Sequence, residues 1–141
     1  MTAIQEYAKI TDARANFREI YDSAERRVPS VVHREQDAPV AVVLKDDLVE
    51  ALRALCPVSA QVRFAEGGHV SAWIDGLPVS AEGADFGAAE QALVDALRDY
   101  ASTWVEDLRR YPNHEQNWGI VNLVLLSDDA LLREHIFGDE E

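Results

Sequence analysis

The sequence predicts an α+β protein: a helix, hairpin and helix unit, then a small three-stranded antiparallel sheet with one long helix, and a helical C-terminal tail. Three observations point there. Ala13, Phe17, Ile20 and Ala24 recur at helical spacing near the N-terminus. Val70, Ala72 and Ile74 alternate with the period of a strand buried on one face. The helical period then returns over Ala89, Leu93, Ala96, Leu97, Tyr100, Trp104 and Leu108.

In chain order, residues 1–9 either place a short edge strand around Thr2 to Ile4 or simply lead into the first helix. That helix is expected from Thr11 to about Glu25, with Ala13, Phe17, Ile20 and Ala24 inward and Arg14, Arg18 and Glu19 in solvent. Ser30 to Arg34 and Val40 to Leu44 are β-branched runs separated by Glu35-Gln36-Asp37-Ala38-Pro39, which reads as a hairpin. Asp47, three residues before Glu50, suggests a capping box for a second helix whose apolar side is Leu48, Val49, Leu52 and Leu55. So small a unit buries a low fraction of its surface, and sharing a core with a second copy is its natural remedy.

Cys56-Pro57-Val58-Ser59-Ala60 reads as a linker, because proline ends the helix and the composition then changes. Gln61 to Ala65 is a strand with Val62 and Phe64 expected inward, and Glu66-Gly67-Gly68 turns the chain into the strand carrying Val70 to Ile74. Asp75-Gly76-Leu77-Pro78 makes the next bend, and Val79 and Ala81 begin a third strand. Asp85 can cap the long helix, which would span about 37 Å at 1.5 Å per residue if continuous from Phe86 to Arg110. Tyr111-Pro112-Asn113-His114 breaks it. Trp118 to Leu126 is densely apolar and fits either a helix, with Trp118, Val121 and Leu125 on one face, or a strand. Ser127-Asp128-Asp129 restarts a helix carrying Leu131, Leu132, His135 and Ile136. The expected organisation is 1–56, a linker at 57–60, an α+β domain at 61–111, and an apolar segment with an acidic end at 112–141.

Apolar residues at 48% argue against disorder, and no apolar run approaches the length that crosses a bilayer, so no membrane partner is expected. The N-terminus lacks the positive start and apolar centre of a secretion signal, which makes a cytoplasmic location the expectation. The single cysteine, Cys56, rules out an internal disulfide, and the scattered histidines 33, 69, 114 and 135 compose no metal site. No phosphate loop, nucleophile elbow or paired zinc motif occurs, so neither catalysis nor a cofactor is expected.

The net charge of −13 is unevenly spread. Residues 1–36 hold six Lys/Arg and six Asp/Glu, 60–111 hold four against nine, and 112–141 hold one against seven. A basic face near the N-terminus is therefore compatible with an acidic body suited to a basic protein partner. The same charge fits an ordinary acidic cytoplasmic protein. Arg14 and Arg18, four apart, project from one side of the expected helix, either as a basic face or as solvated residues beside Glu19 and Asp22. Arg26 and Arg27 suit phosphate contact better than base reading, and equally suit a helix C-terminus favoured by the dipole.

Two family resemblances sharpen this picture. Ile10-Thr11-Asp12-Ala13-Arg14-Ala15-Asn16-Phe17, then Val31-Val32-His33-Arg34, then Ala38-Pro39-Val40-Ala41-Val42-Val43-Leu44 resembles the N-terminal domain of the Phd/YefM antitoxins over about residues 1–55. That resemblance implies a homodimer that binds operator DNA, with Arg14 on the operator face and Arg34 in a second basic position. Arg18, Arg26 and Arg27 complete the expected DNA-binding set. Glu66-Gly67-Gly68-His69-Val70-Ser71-Ala72-Trp73, Asp75-Gly76-Leu77-Pro78 and Gly83-Ala84-Asp85-Phe86-Gly87-Ala88-Ala89 resemble the HicB antitoxin domain. Val79 stands where that family's bend has glycine, and Asp85 where it has a capping threonine. Asp75 and Asp85 are explained as turn and cap residues rather than as nuclease acids.

Together these imply an antitoxin that neutralises a basic ribonuclease-type toxin and autoregulates its operon, with Trp104, Trp118, Val121 and Leu125 as the expected toxin-binding residues. The apolar 118–126 segment alternatively packs on the protein's own body. A protein-interaction module that binds no DNA is the competing reading, and the −13 charge is its support.

Overall fold

The computed structural model describes residues 4–138. The chain forms two compact units, Met1–Glu50 and Ala51–Glu141, and the division falls inside one helix, ahead of the segment 56–60.

The first unit begins with β1 (Gln5–Tyr7), later than the strand expected around Thr2 to Ile4, of which Thr2 and Ala3 lie outside the described residues. The expected first helix is two helices, α1 (Ile10–Ala15) and α2 (Phe17–Glu25). The break is at Asn16 (φ −117°, ψ 24°), whose side-chain amide donates to the Asp12 carbonyl at 2.8 Å. A side chain that bonds nearby backbone competes with helix continuation, which explains the interruption. Ala13, Ile20 and Ala24 are buried as their spacing predicts, but Phe17 is 60% exposed.

Strands β2 (Ser30–Val32) and β3 (Val40–Val42) form the expected antiparallel hairpin, Val31 opposite Ala41, and β1 adds to β2 in parallel. Helix α2 reaches β2 through a turn in which Arg27 N–H donates to Ala24 O at 2.9 Å and Val28 N–H to Ser23 O at 3.0 Å. This is the Schellman arrangement, with Arg27 at φ +67° where glycine is usual.

Helix α3 (Lys45–Leu55) starts earlier than the expected capping box. Its first bond runs from Leu48 N–H to Leu44 O, so Asp47 is not the cap but lies in the first turn, where the dipole favours an acid. Val49 and Leu52 are buried, whereas Leu48 and Leu55 are exposed.

In the second unit β4 (Ala60–Phe64), β5 (Val70–Ile74) and β6 (Ser80–Gly83) form an antiparallel sheet in that order, Val62 opposite Ala72 and Ala72 opposite Ala81. Gly67 and Gly68 turn β4 into β5 with φ of +85° and +87°, a conformation that disfavours side chains. Val70, Ala72 and Ile74 are buried in strict alternation. Phe64 breaks its pattern: it is 69% exposed, because the covering helix packs on β6 and β5 rather than on β4.

That helix, α4 (Phe86–Glu106), opens where the Asp85 carboxylate accepts from Ala88 N–H at 2.8 Å, as the sequence predicts. It approaches β6 so closely that a Cβ on Gly83 would lie 2.4 Å from Ala89 N. It stops short of the expected Arg110, since Asp107 leaves helical geometry (φ −144°, ψ −52°) and a turn of 3-10 helix follows.

The Trp118–Leu126 segment is a helix, α5, and α6 (Asp129–Phe137) is capped by Asp128, which accepts from Leu131 N–H at 2.8 Å. A helix that is apolar nearly all round must be buried. Accordingly Val121 and Val124 enter one core with Ile74, Leu93, Leu97, Leu132 and Ile136, and Ile120 and Leu123 are buried as well.

Candidate functional site

In the first unit the five arginines expected to meet DNA are all exposed but are not alike. Arg14 lies in the last turn of α1 and Arg18 in the first turn of α2, so the break at Asn16 removes the single helix on which a spacing of four would align them. Arg27 Nε donates to Asp47 Oδ2 at 2.9 Å, and this hydrogen bond, reinforced by the charge, raises the guanidinium pKa above its usual value. Arg34 Nε is held by Asp37 Oδ2 at 2.7 Å. Arg14, Arg18 and Arg26 carry no ion pair among the described residues. Two of the five cations are thus neutralised locally and three are available to an external anion.

The same unit has a groove of about 300 Å³ between α2 and the end of β3, lined by Phe17, Tyr21, Ala24, Val42, Val43 and Leu44 together with the charged Glu25 and Lys45. Phe17 and Tyr21 stand 60% and 58% exposed on its rim. Large aromatic side chains this open are the informative departures from ordinary burial.

In the second unit the four residues expected to meet a partner separate into two groups. Val121 is 1% exposed and belongs to the protein's own core, which removes it from any external surface. Trp104 is half-buried against that core, and its indole N–H donates to the His114 carbonyl at 2.8 Å. Trp118 and Leu125, 50% and 52% exposed, remain available, two turns apart on α5 with Asn122 between them. Leu55 joins this region: its Cδ2 lies 4.0 Å from where a Gly119 Cβ would be, and it is 63% exposed. Its helical spacing in the sequence reads as core, so only its position at the helix end marks it as a surface residue.

The position of α5 is set by residues the sequence did not single out. Arg98 on α4 donates to Val124 O at 2.8 Å and Ser127 O at 2.9 Å, carbonyls at the open end of α5, and to Asp129 Oδ1 at 2.7 Å. Gln91 donates to the other Asp129 oxygen at 3.3 Å, and Arg133 bonds Gln91 and pairs with Glu90. The Arg98 hydrogen bonds, followed by that from Gln91, hold the Asp129 carboxyl below the usual carboxylate range. At the other end of α5, Tyr100 OH meets His114 Nδ1 at 2.9 Å and accepts from Asn117 Nδ2 at 2.9 Å. His135 Nε2 bonds the Cys56 carbonyl at 2.8 Å, and burial raises the neighbouring thiol pKa. Among the described residues no group of acids, histidines and cysteine could hold a metal ion, and no helix is long and apolar enough to cross a membrane.

The profile of a family described as PHD_like, an antitoxin of RelE/RelB toxin-antitoxin systems, matches residues 2–136. The chain belongs to this antitoxin family. As an antitoxin it is a non-enzymatic regulatory protein with a cognate toxin as partner. No curated protein matches its sequence. Its fold is similar to the crystal structure of an antitoxin part of a proposed toxin/antitoxin system from Syntrophomonas wolfei subsp. wolfei, at a TM-score of 0.77 and 22% identity over 96% of this chain and 97% of that one. At that identity the likeness speaks to fold alone.

Proposed function

We propose that the antitoxin works in the cytoplasm, neutralises a basic ribonuclease-type toxin by direct binding, and represses its own operon as a homodimer on operator DNA. The observation that carries this reading is the division of labour in charge. Of the five arginines expected to meet DNA, Arg14, Arg18 and Arg26 carry no ion pair among the described residues, and all three lie in the first unit. Residues 51–141 hold sixteen Asp/Glu against six Lys/Arg and expose Trp118 and Leu125 as apolar anchors. A toxin of high positive charge is steered to such a body and held by a few aromatic and aliphatic side chains at the centre of the interface. The groove rimmed by Phe17 and Tyr21 supports the Phd/YefM-like dimer, because a second copy would remove both rings from water. Two such units present their arginines in two-fold relation, which calls for a two-fold symmetric operator. The three-stranded sheet, the bend at Asp75-Gly76-Leu77-Pro78 and the Asp85-capped helix support the HicB-like reading of the second unit.

The test is co-expression with the product of the adjacent open reading frame, followed by purification and a growth assay. Copurification and rescue from a toxic neighbour are expected, and a non-toxic neighbour that does not copurify would overturn the toxin claim. Operator binding is read separately with upstream duplex DNA. Arg14→Glu should weaken binding on every sequence and lower the slope of log K against log salt by about 1 or more.

A second reading, an interaction module that binds no DNA, is favoured by Arg27 and Arg34 being occupied by Asp47 and Asp37. Absence of binding to upstream DNA at low salt would establish it in place of the repressor.

A further inference from the structure

Strand β4 is an edge of its sheet, and its open side can be assigned residue by residue. Ala65 N–H bonds His69 O at 2.8 Å, continuing the β4–β5 register, and Ile74 N–H bonds Val79 O at 3.4 Å in the β5–β6 register. Because hydrogen-bonded pairs alternate along an antiparallel ladder, Gln61 and Arg63 bond to β5. The backbone N–H and C=O of Ala60, Val62 and Phe64 therefore point away from the sheet. Among the described residues none of these outward groups meets another element.

Edges of this kind are normally blunted by proline, lysine, a bulge or an inward-facing charge. Residues 60–64, Ala-Gln-Val-Arg-Phe, carry none of these, since Arg63 lies on the face away from α4. The edge also displays Phe64, 69% exposed, its ring 6.4 Å from that of Phe86.

We propose that this edge pairs with itself: two copies join β4 to β4 in antiparallel register centred on Val62, extending the sheet across a two-fold axis. The sequence of the strand is complementary to its own reverse. Ala60 then faces Phe64 of the second copy, so the largest exposed side chain lies over the smallest, beside the half-buried Val62. On the opposite face Arg63 meets the Gln61 amide of the second copy, and no like charges stand opposite one another. A basic strand is a poorer occupant, because the one charge on this edge is already positive. The other edge, β6, carries Glu82 beside His69 and is backed by the first turn of α4 at Gly83. This surface is separate from the groove at Phe17 and Tyr21.

The test uses the full chain in a Cys56→Ser background. In the proposed register two Val62 residues form a narrow pair with Cα atoms about 5.5 Å apart, within disulfide reach. Val62→Cys should oxidise mainly to a covalent dimer at 0.15 M salt, whereas Glu82→Cys at the other edge should stay monomeric on a non-reducing gel. Val62→Pro removes one outward N–H and leaves the β5 ladder intact, as edge strands tolerate. It should halve the solution mass of the parent with an unchanged circular dichroism spectrum. The halving is read from tetramer to dimer if the first unit also dimerises and from dimer to monomer if it does not, so the two interfaces are tested independently. Val62→Cys that fails to cross-link, or that cross-links no better than Glu82→Cys, overturns the proposal. So does a folded Val62→Pro that keeps the parent's mass.

Discussion

Arg27 holds Asp47 through a 2.9 Å hydrogen bond while its own backbone takes φ +67°, the left-handed conformation that closes α2. The two facts oppose each other. A side chain at this position costs conformational energy that glycine avoids, and the ion pair to the first turn of α3 offsets part of that cost. Arg27→Ala keeps the cost and loses the pair, so its melting temperature should fall. Arg27→Gly loses the pair and relieves the backbone, so it should melt at or above the temperature of Arg27→Ala. Thermal denaturation of both variants beside the parent checks the order.

Arg98 is the corresponding fastening in the second unit. Its guanidinium spans two helix-end carbonyls, Val124 O and Ser127 O, that have no successor turn to accept from. Arg98→Ala leaves them without this donor and should cost about 1–3 kcal/mol in urea denaturation. Arg98→Lys should recover only part, since an ammonium cannot match the planar fork that reaches both carbonyls and Asp129 together. Full recovery by lysine would show that charge alone fastens the corner.

Much of this architecture was legible because it is written in local patterns. The alternation of Val70, Ala72 and Ile74, the double-glycine turn, the Asp85 cap and the helix restart at Ser127-Asp128-Asp129 each depend on a few consecutive residues. The features that local pattern misplaces depend on partners far along the chain. Phe17 and Phe64 fit apolar periodicities yet lie open, because periodicity reports which residues share a face and not whether anything covers it. Val121 and Trp118 look alike in a uniformly apolar run, and only the docking of α5 on α4 decides that one is core and the other surface. Arg98 was invisible for the same reason: its carbonyl partners lie 26 and 29 residues away. Asn16, by contrast, broke a helix through a contact four residues back, a signal present in the sequence but outweighed there by the apolar stripe.

Asp129 links this corner to pH. Its carboxyl titrates below the usual range, chiefly because Arg98 hydrogen-bonds the ionised form. A depressed folded pKa contributes stability that is fully present above the unfolded value of about 3.9 and is lost as pH falls through the folded value. Asp129→Asn should therefore lower stability at pH 7 and narrow the difference from the parent as pH falls below about 4. Melting temperatures from pH 7 to pH 3 follow this directly. A constant offset across that range would mean that the Asp129 charge is not what Arg98 recognises.

Residues 118–125 of α5 combine two functions that substitution should separate. Trp118 and Leu125 are half-exposed and make up the outer stripe, while Val121 lies one turn from each and is closed off. Val121→Ala removes buried methyl groups from a core shared by α4, α5 and α6, and should cost about 2 kcal/mol without altering the outer face. Trp118→Ala and Leu125→Glu leave that core filled, so their unfolding midpoints should stay within about 0.5 kcal/mol of the parent. Their effect should appear instead in toxin capture, where truncating a central aromatic anchor costs about 2 kcal/mol or more, some thirtyfold in Kd. Denaturation and pull-down on the same three variants give opposite rank orders if the toxin meets the outer stripe of α5. A Trp118→Ala protein that captures toxin as well as the parent would move the interface off this helix and leave the stripe to some other contact.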